Sequence, residues 1–150
     1  MNKTASSKPV TLFHFKDAPN PRRVRGFIAG KGINLALSAI DIEKGEHRTP
    51  EFKKMNSLEQ VPVLALEDGT FITESIAICR YLEEWCPQTP LFGDTAVERA
   101  EVKMWNRRVE IEIFETIGNV ASHTNPLFRE RVVQIPEFAQ TQREAVPKKW

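Results

Sequence analysis

Cysteine is scarce in this sequence and net charge is almost absent, and each shortage removes a class of protein. The two cysteines are Cys79 and Cys86. On one helix they would stand two turns apart on the same face, about 10 Å, too far to form a disulfide. Both read as small core hydrophobes. The histidines, His14, His47 and His123, share no metal-ligand spacing with the cysteines or with each other. No zinc site, CxxC motif or disulfide framework is therefore expected. Lysine and arginine number 21 against 20 aspartates and glutamates, a formal charge of +1. That balance excludes the uniform basic footprint of a nucleic-acid-binding protein. An apolar run of roughly eighteen residues, the length a membrane helix needs, is also missing, so no membrane partner is expected. The polar start Met1-Asn2-Lys3-Thr4-Ala5-Ser6-Ser7 lacks the apolar stretch of a secretory signal, and the expected location is cytoplasmic.

What is present is a globular composition, 41% hydrophobic and 27% charged. Val10 to Phe15 reads as a strand. Asn20 before Pro21 reads as a capping side chain followed by proline at the first helical position, with Lys31-Gly32 as the stop. Leu35 to Ile42 reads as a second strand, and Thr49-Pro50-Glu51 starts a short helix through Met55. Val61 to Leu66 and Phe71-Ile72-Thr73 flank Asp68-Gly69, a strong hairpin signal. A helix from Glu74 to about Trp85 follows. The order βαβ then ββα predicts a mixed sheet: parallel pairing across the crossover, antiparallel pairing in the hairpin. Pro87 and Pro90 mark a linker. Beyond it, Thr95 to Glu98 forms a capping box opening a long helix, with Val97, Met104 and Ile111 on its apolar stripe. Asn125-Pro126 ends that helix, and Pro136 opens another helical stretch.

Three places could carry chemistry. Val61-Pro62 at a strand start is either a cis turn that frees the Val61 backbone to pair outward or a proline on an edge strand. Glu74-Ser75 opens a helix, where free N–H groups favour an anion. A hydroxyl donor and a carboxylate there suit a zwitterionic α-amino acid group, although simple capping is the plainer use. Arg22-Arg23-Val24-Arg25 puts cations in the first turn of a helix, against its dipole. A bound anion or a solvated basic face would each account for them.

The stretches Asp17 to Arg25, Ala29 to Ile33, Asn56 to Leu64 and Ile72 to Ile78 together resemble the cytosolic glutathione S-transferases. Met104 to Glu110 and His123-Thr124-Asn125-Pro126 resemble a theta-like bacterial and fungal subgroup. The resemblance implies an α/β thioredoxin-like N-terminal domain followed by the start of an all-α C-terminal domain. The divisions are then a glutathione-binding domain 1–86, a linker 87–94 and an incomplete helical domain 95–150. A chain truncated at its C-terminus is the corresponding expectation. The resemblance implies a cis Pro62, with the Val61 backbone pairing the cysteinyl unit of glutathione. It implies Glu74 and Ser75 on the γ-glutamyl group, and His47 and Gln60 at the glycyl end.

The usual activating hydroxyl is missing. Phe13-His14-Phe15-Lys16-Asp17-Ala18 offers neither tyrosine nor serine where many members carry one, and no cysteine that would support disulfide reduction. The candidates for thiol activation are Asn20 at the helix start, and His123 with Ser122, which in the resembling subgroup would hold a water. Helix N-terminal dipoles would lower a thiol pKa from about 8.5 toward neutrality. The expected function is conjugation of glutathione, as co-substrate, to a small hydrophobic electrophile, a detoxification reaction. A homodimer and no metal are expected. The alternative is a non-catalytic glutathione-binding or regulatory module on the same fold.

Overall fold

The computed structural model describes residues 7–124, the side chains of 119 and 121–124 excepted. The chain divides into two compact units, Met1–Glu98 and Arg99–Trp150. In the first, β1 (Pro9–His14), α1 (Pro19–Lys31) and β2 (Ala36–Ala39) form the crossover unit. A single 3-10 turn at Glu46–Arg48 leads to α2 (Pro50–Met55), then β3 (Val63–Leu66), β4 (Phe71–Thr73) and α3 (Ser75–Trp85). The strands are ordered β2-β1-β3-β4, with β1 parallel to β2 and antiparallel to β3, and β3 antiparallel to β4. This is the mixed sheet the element order requires.

Side-chain alternation along the strands divides the core in two. Leu12, Leu64 and Leu66 point to one face and pack with Val24 and Ile28 of α1 and Ile78, Cys79 and Leu82 of α3. Phe13 and Val63, one residue out of phase, point to the other face and join Phe52 of α2, Val61, Phe15 and Met55. The two inner strands are thus covered on both sides.

The boundaries show where local signals act. Gly32 closes α1 at φ 65°, a left-handed conformation cheap only for glycine, and its N–H bonds Ala29 O at 3.1 Å. Thr49 caps α2, its Oγ1 accepting from Phe52 N at 3.2 Å. Gly69 turns the hairpin at φ 85°, with Leu66 N donating to Thr70 O at 2.9 Å. The start of α1 departs from expectation. The helix begins at Pro19, its capping position is Ala18, and Asn20 lies inside the first turn without capping it. Proline needs no N–H partner at a helix start and brings its φ already helical, so Pro19 extends the helix backward past Asn20.

Residues 87–94 are tied to the rest of the first unit through Glu83 and Lys31. Glu83 Oε1 accepts from Leu91 N at 2.7 Å and Phe92 N at 2.8 Å, while Glu83 Oε2 pairs with Lys31 Nζ at 2.6 Å. Lys31 Nζ also donates to Thr89 O at 3.1 Å, and its side chain is fully buried. Cys86 lies outside the core, contrary to expectation, because its thiol faces the linker and donates to Gln88 Oε1.

The capping box forms: Glu98 N donates to Thr95 Oγ1 at 3.1 Å, and Thr95 N to Glu98 Oε2 at 3.0 Å. It opens α4 (Ala96–Val109), which passes through a π turn at Glu110–Phe114 into α5 (Glu115–Thr124). The expected stripe residues Val97, Met104 and Ile111 are exposed. The expected helix end at Asn125-Pro126 and the stretch from Pro136 lie outside the described residues.

Candidate glutathione site

The sheet register gathers the sequence-derived candidates at one end of the first unit. Phe13 pairs with Val63, so the end of β1 lies beside Val61-Pro62. Val63 in turn pairs with Thr73, so Val61-Pro62 also lies beside Glu74-Ser75. The start of α1 follows β1 by one short loop. The Val61–Pro62 peptide is cis, and Pro62 precedes β3 rather than lying within it. β3 is an inner strand, which removes the edge-strand account of the proline. Val61 and Pro62 are both buried.

The loop before the proline is fixed by Asn56, whose role no local pattern announces. Its buried side chain donates from Nδ2 to Gln60 O at 2.8 Å and accepts from Leu58 N at Oδ1 at 3.1 Å. Glu59 in this loop adopts φ 56° and pairs with Lys53 at 2.9 Å. That hydrogen bond, with the further charges of Arg48 and His47, holds the Glu59 carboxyl below its ordinary value. His47 lies in the 3-10 turn before α2. His47 and Gln60 are half-buried.

At the start of α3, Glu74 is exposed and takes φ 66°, a costly conformation for a residue with a Cβ. It turns the chain sharply from β4 into the helix. Ser75 behind it is only 6% exposed. Neither side chain caps the helix. Ser75 Oγ instead accepts from Arg23 Nη1 at 2.8 Å.

That bond resolves the arginine run. Arg25 turns back onto the β1–α1 loop, donating to His14 Nδ1 at 3.0 Å, Phe15 O at 3.3 Å and Lys16 O at 2.7 Å. Only Arg22 fits the solvated-face account, since it alone of the three is exposed. Burial, then the Arg25 charge, hold the His14 imidazole below its ordinary pKa. The Cys79 thiol is pushed up to about 12 by burial, with the Arg23 charge opposing, so it is an inert core group.

Asn20 lies exposed in the first turn of α1 between Pro19 and Pro21. Proline has no N–H, so among those three positions only Asn20 offers a backbone donor, and it adds a side-chain amide. Ser122 and His123 belong to α5, and their side chains lie outside the described residues. Among the described residues no helix is long and apolar enough to cross a membrane.

A small mixed sheet with a cis-proline before an inner strand, beside a helix start carrying a buried hydroxyl, defines a thioredoxin-like α/β domain. The chain matches the profile of the glutathione S-transferase N-terminal domain over residues 8–84 and belongs to that family. Glutathione S-transferase 2 of Saccharomyces cerevisiae is 36% identical over 119 residues, which cover 78% of this chain and 51% of the relative. A glutathione S-transferase domain-containing protein of Marinobacter aquaeolei superposes with a TM-score of 0.76 at 33% identity, over 89% of this chain and 67% of that one. Human glutathione transferase theta-2, solved with glutathione and an unknown ligand, superposes with a TM-score of 0.61 at 34% identity, over 66% of this chain and 41% of that one. The chain spans about half the length of the sequence relatives it matches.

Proposed function

We propose that this protein is a glutathione transferase of the theta-like bacterial and fungal type, which conjugates the glutathione thiolate to a small hydrophobic electrophile. The observation that carries the reading is the convergence of the cis Val61–Pro62 turn and the Glu74-Ser75 helix start on one end of the sheet. In it, the main chain of the cysteinyl unit pairs with the Val61 backbone, Ser75 and the α3 N-terminus take the γ-glutamyl carboxylate, and Glu74 takes its ammonium. His47 and Gln60 serve the glycyl carboxylate.

The thiol then sits at the start of α1. Its proton leaves to solvent, helped by the helix dipole and a hydrogen bond from Asn20, and the thiolate attacks the electrophilic carbon. The new C–S bond forms as the leaving group departs with its electron pair. The subgroup resemblance gives His123 and Ser122 the role of holding a water for the sulfur. On this reading residues 1–86 are the glutathione domain, 87–94 the linker and 95–150 part of a helical domain. A cytoplasmic homodimer working in detoxification fits this reading.

Ser75→Ala is expected to weaken glutathione binding by about tenfold, as loss of a hydrogen bond to a charged group would. Calorimetry checks the affinity, and conjugation to an aryl halide checks turnover. Unchanged affinity would remove the proposed γ-glutamyl clamp. Glutathione binding with no lowering of its thiol pKa would point instead to a binding module without catalysis.

A further inference from the structure

We infer that Arg25 is a positioning residue for the proposed conjugation. It holds the start of α1, which meets the glutathione sulfur, in register with the Val61 turn, which pairs the cysteinyl main chain. This role rests on the glutathione reading above and adds to it what fixes those two parts of the site against each other.

The sulfur and the main chain of the cysteinyl unit belong to one residue, so covalent bonds set their separation. The two protein parts that meet them come from different elements, and only tertiary contacts can hold those parts at a matching distance. Phe15 supplies one half of the tie, because its side chain packs on the cluster of Phe52, Val61 and Val63. Arg25, in the second turn of α1, supplies the other half. Its Nη1 donates to Phe15 O at 3.3 Å and to His14 Nδ1 at 3.0 Å, and its Nη2 donates to Lys16 O at 2.7 Å. The tie runs from Val61 through Phe15 to the helix, and it spans the loop Lys16-Asp17-Ala18 that leads into Pro19.

A guanidinium suits this task. It puts Nη1 and Nη2 at fixed places in one plane, so two successive carbonyls of a bent loop are held at once. A lysine ammonium is a single nitrogen and cannot occupy both places. His14 anchors the same Nη1 to the sheet, since its own main-chain O accepts from Ile40 N at 2.8 Å. The positive charge strengthens each of these bonds. Between Phe13 and Ala18 there is no hydroxyl to meet a thiolate, so the placement of the helix start carries that work. Donors already held where the charge develops need no rearrangement as the proton leaves.

The test uses the 150-residue chain with glutathione and with S-methylglutathione, which has no thiol proton. Calorimetry reads affinity, ultraviolet absorbance of the thiolate reads the thiol pKa, and aryl halide conjugation reads kcat. Arg25→Lys keeps the charge but not the fork. It is expected to bind S-methylglutathione within about twofold of the wild type, while the bound thiol pKa rises by about one pH unit and kcat falls about tenfold. Arg25→Gln, which also removes the charge, is expected to do the same, and if it does not fold Arg25→Lys decides alone. A wild-type thiol pKa and kcat in Arg25→Lys would overturn the positioning role and leave the glutathione reading intact. Loss of S-methylglutathione binding in step with kcat would overturn it as well, since the clamp would then serve the whole domain. A wild-type chain that binds glutathione without lowering its thiol pKa would remove both the positioning role and the conjugation reading, leaving a binding module. One that binds no glutathione would remove that module too.

Discussion

At the end of β1, His14 accepts a hydrogen bond from Arg25, a side chain that can only donate. Its Nδ1 must therefore be unprotonated, with the ring hydrogen on Nε2. Burial and the Arg25 charge both oppose a second proton, so the pKa lies below 6.5 in the folded chain. The unfolded chain then binds that proton more readily. Stability from this pair is complete above pH 6.5 and falls as the pH drops below it through the lowered folded value. A His14→Asn variant keeps an acceptor but cannot titrate. Urea midpoints at neutral and mildly acidic pH are expected to separate more for the wild type than for the variant. Equal separations would show that His14 does not govern this range. Neither His14 nor Arg25 stood out in the sequence as a pair, because helix α1 folds back onto the strand only through tertiary packing. Pro62 and Ser75 did stand out, because a proline at a strand start costs a ladder hydrogen bond and a hydroxyl at a helix start can meet an anion as well as cap.

Helix α3 shows how one element fixes another. Glu83 joins α1, through Lys31, to the linker, through the N–H groups of Leu91 and Phe92. Burial raises the Glu83 pKa, but Lys31 and those N–H groups lower it more, so the carboxylate is charged beside a fully buried ammonium. Glu83→Ala would leave that ammonium buried without its carboxylate, which costs about 3–5 kcal/mol. Glu84→Ala, one position along and exposed, is expected to change stability by less than about 0.5 kcal/mol. Urea unfolding of both variants tests the contrast, and similar losses would show that the pair contributes nothing special. The helices themselves were legible because periodicity and stop signals are local. The start of α1 was not, because two prolines and an asparagine satisfy the same rules at adjacent positions.

Across the whole chain, burial is uneven. The first unit encloses Leu12, Leu64, Ile78 and Leu82 completely, whereas α4 and α5 leave Val97, Trp105, Ile117 and Val120 more than half exposed. Exposed apolar side chains contribute little to holding a helix closed, so the two regions should open with different free energies. In native-state hydrogen exchange, the amides of β1 and β3 are expected to exchange only through global unfolding and those of α4 and α5 through local opening. Uniform protection across both would contradict this. By itself the sequence determined the element order, the hairpin, the mixed sheet and the residue types suited to a zwitterionic peptide, because turn chemistry, periodicity and capping act over a few residues. It also carried the family resemblance that membership bears out. Only the tertiary structure decided that Arg23 reaches Ser75, that Arg25 holds the loop after β1, that Asn56 fixes the approach to Pro62, and that Glu83 holds the linker. The Arg23, Arg25 and Glu83 contacts join residues from separate segments, and sheet register and helix packing, not local spacing, set the distance between them; the Asn56 bonds span only two and four residues, and what the fold adds there is the burial of that side chain.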